Sequence, residues 1–283
     1  MILVFGEKGQ IAQELSQYDD IKCFGREVVD FLQPETLKKF IEIKKPTLVI
    51  NAAAYTDVDK AENEKEAATI INGIAPAKIA QACEQFGIPL IHFSSDYVFS
   101  GKIGRPWKPD DKPEPVNTYG YSKLLGEQAI MSSSARAVII RTSWVFSSFG
   151  NNFVKTIFKL SKKHGSIKVV DDQIGGPTSA HSLAKNSIKI ARHMTHSSHP
   201  GGIYHLSGTA NLSWYKFAKQ IVKQIESKMV ILPVRSSEYR LTALRPKNSC
   251  LDCSKITNDF GINRPDWSKD LQVVIDQLRA TNQ

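Results

Sequence analysis

The stretch ILVFGEKGQ at residues 2–10 is four apolar residues without a polar interruption, then one glycine and a second three positions on. No other feature limits the chain's architecture as tightly. An uninterrupted apolar run is the signature of a strand buried on both faces, which parallel sheets require. Gly6, Gly9 and Ala12 stand at three-residue intervals. Glycine permits the tight turn and lets the backbone approach a pyrophosphate, whose charge then rests on exposed N–H groups where the next helix starts. The third position needs only a small residue for helix–strand packing, and Ala12 is one. An ordinary turn is the alternative reading of glycines out of context. Between a first strand and a first helix, the context favours dinucleotide binding.

The first half continues in the same rhythm. ILVF (2–5), a helix from about Gly9, IKCF (21–24), a helix from about Pro34, TLVINAA (47–53), a long helix through about 62–86 and IPLIHFSS (88–95) alternate. Strand, helix, strand at this spacing predicts right-handed crossovers and a doubly wound parallel α/β sheet, Rossmann-like in class. The strand AVIIRTSWVF (137–146) follows a helix, and the Pro-, Gly- and charge-rich 100–118 reads as a loop crossing the mouth of the sheet. The second half is less regular: a helix at 151–163, a strand at 167–170, helices at about 179–194 and 214–226, a short strand at 202–208 and a terminal helix from about Ser268. We therefore expect a dinucleotide-binding domain over 1–146, with some later segments packing back onto it. Residues 147–283 are expected to form mainly a smaller α/β substrate-binding lobe that closes over the carboxyl ends of the strands.

Composition excludes several classes. The 283 residues carry 41% hydrophobic and 23% charged side chains, the balance of a soluble globular protein. The opening apolar run is too short for a signal peptide, and no later run approaches a membrane span, so a cytoplasmic protein without a membrane partner is expected. Of four cysteines only Cys250 and Cys253 have metal-like spacing, and no second close pair completes a tetrahedral site. His193, His196 and His199 lie in a Ser- and Pro-containing helix exit without a rigid frame, so no metal is expected there either. The formal charge of +9 points to an anionic partner. The basic residues lack a long block with interleaved aromatics, which argues against nucleic acid.

The strand ends carry the chemistry. Arg26 follows the second strand near the place where an acid usually holds an NAD ribose, and a guanidinium there suits a 2′-phosphate. NADPH is the expected cofactor; Glu27 and Asp30 keep NADH as the alternative. Alanines 52–54 leave room for a flat ligand, and Phe93-Ser94-Ser95-Asp96-Tyr97 places hydroxyls and a carboxylate at the same sheet edge. The helix TYGYSKLLGE (118–127) offers two tyrosines to one lysine. Residues four apart share a helical face and residues two apart do not, so Tyr119 and not Tyr121 is the partner of Lys123. A phenol with a reference pKa of about 10 is favoured as phenolate by a nearby ammonium. Tyr119, Lys123 and Ser95 together make a proton donor and a hydroxyl that holds a carbonyl oxygen.

With these motifs the chain resembles the extended short-chain dehydrogenases/reductases over nearly its whole length, and within them the reductases of nucleotide-linked 4-keto-6-deoxysugars. GEKGQIAQEL, NAAAYTDVDKAE (51–62), SSDYVFSGK (94–102), YGYSK (119–123), RTSWVF (141–146), GNNFV (150–154), DDQIGGPT (171–178) and LRPKNSCLD (244–252) carry the likeness. It implies hydride delivery to a C4 ketone, giving dTDP-L-rhamnose for cell-surface polysaccharide, with reduction of a different nucleotide-linked 4-keto-6-deoxysugar or a non-catalytic NADP-binding regulatory role as the alternatives. Tyr119 would be the proton donor, Lys123 would tune it and hold the nicotinamide ribose, and Ser95 would bind the carbonyl oxygen. Gly9, Gln10 and Ile11 would face the pyrophosphate, Asp30 and Phe31 the adenine end, and Ala54, Tyr55 and Thr56 the cofactor's middle. Gly6, Arg26 and Phe93 are expected on the cofactor side from their places at the strand ends rather than from the resemblance. Asp96, Tyr97, Trp144, Gln173 and Arg245 would be substrate-side residues. Four departures stand out. Ala12 stands at the third glycine, the second-strand region around Arg26 diverges from the family and leaves the choice between NADPH and NADH open, and two more concern Ser95 and His181. Ser95 replaces the family's usual threonine. His181 occupies a place where some members have a glutamate of a dimer-linking magnesium site, which leaves a monomer or weak homodimer as the expectation.

Overall fold

The computed structural model describes residues 1–239 and 241–281. Its first half runs β1 (Ile2–Phe5), α1 (Gln10–Leu15), β2 (Ile21–Phe24), α2 (Thr36–Lys44), β3 (Leu48–Asn51), α3 (Val58–Ala61), α4 (Lys65–Thr69), α5 (Ala75–Phe86), β4 (Leu90–Ser95), α6 (Thr118–Met131), β5 (Ala137–Thr142) and β6 (Val145–Phe146). The second half adds α7 (Phe153–Ser161), β7 (Ser166–Val170), β8 (Ile174–Gly175), β9 (Thr178–Ser179), α8 (Ala180–His196), β10 (Gly201–His205), β11 (Leu212–Ser213), α9 (Trp214–Gln224), β12 (Val230–Val234), α10 (Ser254–Phe260) and α11 (Trp267–Thr281).

Six strands form one sheet in the order β10-β5-β4-β3-β1-β2, every pairing parallel. Alternation along each strand explains why both faces are covered. Leu3, Phe5, Val49 and Ile139 join Leu37, Ile41 and Ile79 of α2 and α5 on one side. Val4, Ile50, Val138 and Ile140 join Leu183 and Ile188 of α8 on the other. From β1 the chain winds to β2, then returns across β1 to β3. The order thus reverses between β1 and β3, and at this switch point a crevice opens above the carboxyl ends of the strands. A third cluster, from Phe146, Ile157, Phe217, Ile231 and Leu271, is built almost wholly from the second half.

Two departures from the sequence reading matter for the site. The segment expected as one strand over 137–146 breaks at Ser143-Trp144, because Trp144 has φ +50° and cannot continue an extended chain. The helix expected over 62–86 is interrupted by a π-helical turn at Ile70–Ile74, which carries Asn72. Single π turns within helices are frequent at functional positions.

Candidate active site

A cleft of about 950 Å³ runs along the switch point, at the large end of the range for small-ligand sites. One wall is the glycine turn. Gly6 has φ +110°, and a Cβ there would lie 2.9 Å from the backbone of Ala52 and Ala53, so only glycine lets β1 and β3 end this close. Gly9 precedes α1 without a side-chain cap, which leaves the first N–H groups of that helix to another acceptor. Gln10 ties this turn to the second half: its Oε1 accepts from Ser147 Oγ at 3.0 Å and Asn152 Nδ2 at 2.9 Å.

Gly6, Gly9, Gln10, Ile11, Arg26, Asp30, Phe31, Ala54, Tyr55, Thr56, Phe93, Ser95, Asp96, Tyr97, Tyr119, Lys123 and Trp144 all line this one cleft. Gln173 and Arg245 do not. Gln173 is buried and donates to Ser236 Oγ at 3.1 Å. The Arg245 guanidinium pairs with both oxygens of Asp59 at 2.6 and 3.1 Å and also hydrogen-bonds to Tyr97, so it braces a cleft residue from behind. Arg26 stands exposed at the far rim, its Nε 3.5 Å from the Asp30 carboxylate.

At the other end β4 and α6 meet. Ser95 ends β4 and starts a 3₁₀ turn at Asp96–Val98: its hydroxyl accepts from Tyr97 N–H at 3.1 Å and donates to Asp96 Oδ1 at 3.0 Å. Asn117 caps α6 through Gly120 N–H at 2.7 Å. A Cβ on Gly120 would collide with the Tyr97 carbonyl, so this glycine sets how closely α6 approaches the 3₁₀ turn. One turn of α6 then points Tyr119 and Lys123 into the cleft while Tyr121 is 56% exposed, as the helical-face argument requires. The Tyr119 and Tyr97 rings pack edge to face, 5.7 Å apart.

The electrostatics differ from the sequence expectation in one respect. Burial pushes the Tyr119 phenol up to about 12, against the pull of the Ser95 hydroxyl. The Lys123 ammonium donates to Phe93 O at 2.7 Å, and burial lowers it to about 8 against the support of Glu127. Desolvation of the phenolate therefore outweighs any help from the lysine, and both groups are mainly protonated at neutral pH. Asp96, also buried, rises to about 6 despite hydrogen bonds from Ser249 and Ser95.

Trp214 and Thr142 line the cleft and Asn72 braces it from outside, and the sequence by itself marks none of the three as a site residue. Trp214 stacks on Trp144, centroids 3.5 Å apart and planes within 9°. The latter's other contacts include Gly175, where a Cβ would come within 2.5 Å of the indole. Thr142, beside Ser95 in register, lines the cleft. Asn72 accepts from Tyr55 N–H at 2.9 Å and donates to Tyr55 O at 3.0 Å and to Ser122 Oγ at 2.9 Å, joining the β3 loop to α6. An apolar helix start for Trp214 and a polar residue in a helix for Asn72 were the available signals, and neither is distinctive.

A parallel sheet with its glycine turn at the switch point, and Ser95, Tyr119 and Lys123 on one wall, define an oxidoreductase of the extended short-chain class. The model of the RmlD substrate binding domain family matches residues 1–280, and the chain belongs to that family. It is 37% identical to the dTDP-4-dehydrorhamnose reductase of Burkholderia thailandensis over 94% of this chain and 95% of that protein. To the Escherichia coli K12 protein of that name it is 34% identical, over 99% and 98%. The crystal structure of dTDP-4-dehydrorhamnose reductase from Bacillus anthracis str. Ames in complex with NADP superposes with a TM-score of 0.91 at 34% identity, covering 98% of each chain.

Proposed function

We propose that this chain reduces the C4 ketone of dTDP-4-dehydro-L-rhamnose with NADPH, giving dTDP-L-rhamnose. The observation that carries the reading is the convergence of Ser95, Tyr119 and Lys123 at one end of a cleft whose other end is the glycine turn. Full-length relatives bearing the reductase's name, and one solved with NADP, support it.

The residues fit a dinucleotide. Gly6 holds open a backbone cradle that a Cβ would fill, and the uncapped N–H groups of α1 suit a pyrophosphate. Arg26 at the rim suits a 2′-phosphate. NADPH, when bound, supplies the hydride for the ketone carbon.

The chain's own groups manage the oxygen. Tyr119, held protonated by burial, donates its proton to the ketone oxygen as it gains charge. Ser95 already directs its proton at Asp96, and a rotation about Cβ–Oγ redirects it to the same oxygen. Lys123, fixed by Phe93 O, holds a positive charge beside the phenolate that Tyr119 leaves. Trp144, backed by Trp214, walls the sugar side, and Asp96 and Tyr97 contact its hydroxyls. Ser95 in place of threonine keeps the hydroxyl and loses only a methyl group that restricts its rotamer.

The direct test is Tyr119→Phe. Turnover should fall by about 100-fold or more, with the NADPH dissociation constant unchanged. Unaltered turnover refutes the assignment of the proton donor.

A further inference from the structure

The net charge is not spread over the molecule. Residues 151–235 hold thirteen Lys and Arg against three Asp and Glu, a net +10, while 1–150 sum to −2 and 236–283 to +1. The three acids are engaged: Asp171 accepts from Ser213, Asp172 from Ser236, and Glu226 lies 3.8 Å from Arg279.

The topology gathers much of this charge at one pole. Helices α7 and α9 pack side by side and lead through short turns into β7 and β12, which run parallel, with Val230 in register with Ser166. The two turns touch, Val230 N–H donating to Gly165 O at 2.8 Å. Both helix carboxyl ends and both strand starts therefore meet there, and they bring together Lys159, Lys162, Lys163, Lys223 and Lys228, all exposed. Lys168 continues the patch along β7, in register with Leu232. Among the described residues none of these six ammonium groups makes an ion pair, unlike Lys8, Lys39, Lys60 and Lys78, which all do. A favourable helix dipole explains a cation in a last turn, but not Lys163, Lys168 and Lys228, which lie beyond the helices. Within the patch Val230 and Leu232 are 53% and 42% exposed on the outer face of the two-stranded ribbon.

From this arrangement we infer that the α7/α9 pole docks the enzyme reversibly on an anionic phospholipid surface. Lysine ammonium groups around two exposed aliphatic side chains match a diffuse negative field with a shallow apolar layer behind it. Nucleic acid fits less well. Phe158, the aromatic ring beside the patch, is buried and already covered by Lys162, and Tyr215, at the amino end of α9, carries Lys219 over its ring, so neither offers the patch a stacking platform for a base. The orientation is also favourable. Asn152 and Trp214 at the amino ends of α7 and α9 line the cleft, so the basic pole lies one helix length away from it, and docking leaves the cleft open to solution.

The test is sedimentation of the full chain with vesicles of pure phosphatidylcholine and with vesicles containing about one-third phosphatidylglycerol. The expected result is binding to the anionic vesicles alone, weakened as salt is raised. Reversal of four pole lysines (Lys162→Glu, Lys163→Glu, Lys223→Glu, Lys228→Glu) should lower the partition coefficient by on the order of a hundredfold or more. Reductase activity in solution should stay unchanged. Reversal of Lys38, Lys39, Lys44 and Lys45, on and just after α2, should leave binding intact. Equal binding to neutral vesicles, no binding to either, or equal loss with the α2 set would overturn the inference. So would retention on an oligonucleotide in preference to the anionic vesicles, or mere association between copies of the chain.

Discussion

Gly6 and Lys123 make opposite demands on the fold. Gly6 sits where any side chain would have both a strained φ and a backbone collision. Gly6→Ala should therefore abolish NADPH binding and destabilise the protein by about 1–3 kcal/mol, read from a titration with NADPH and a urea melt. Lys123 is 2% exposed, and its folded-state pKa of about 8 lies below its reference of 10.5. Between these values the unfolded chain binds more protons than the folded one, so stability rises with pH across about 8 to 10.5. Below pH 8 the full cost of the buried ammonium is present. Relative to Lys123→Met, the wild type should gain roughly 3 kcal/mol across that window. Urea melts of both proteins at several pH values measure this, and parallel curves would show that burial does not depress the lysine.

At the scale of elements, α6 is held in place from two sides. Gly126 lets it approach the Asn72 carbonyl on the π turn, and a Cβ there would collide with that oxygen. Asn72→Ala strips partners from Tyr55 N–H, Tyr55 O and Ser122 Oγ in a buried setting. It should cost about 1–3 kcal/mol and lower kcat more than it raises KM for NADPH, because Tyr119 loses its frame. The break at Trp144 has a similar purpose: its left-handed backbone turns the indole against Trp214. Trp214→Ala should raise KM for the nucleotide sugar while leaving the NADPH dissociation constant unaltered. An effect on NADPH alone would place Trp214 on the other side of the cleft.

For the whole molecule, the sheet was legible because parallel strands buried on both faces read as near-continuous apolar runs: ILVF and AVII are unbroken, LVIN is apolar up to Asn51, and LIHF is interrupted only by His92. Tyr119 and Lys123 were legible because helical spacing alone puts them on one face. The smaller ribbons were not. β8, β9 and β11 are two residues long, and β12 contains Pro233, so neither length nor propensity marks them. Trp214 and Asn72 act through contacts with Trp144 and with Tyr55 and Ser122, which only the tertiary fold creates. The Tyr119 phenol departs from the spacing-based expectation for the same reason: pairwise spacing says nothing about desolvation, and here desolvation wins.

The most direct measurement follows loss of NADPH absorbance with dTDP-4-dehydro-L-rhamnose as substrate and identifies the sugar product by NMR. The expected result is rapid oxidation, a preference for NADPH over NADH, and dTDP-L-rhamnose as product. Bound NADPH that is never oxidised in the presence of this substrate, or a product with the other configuration at C4, would contradict it.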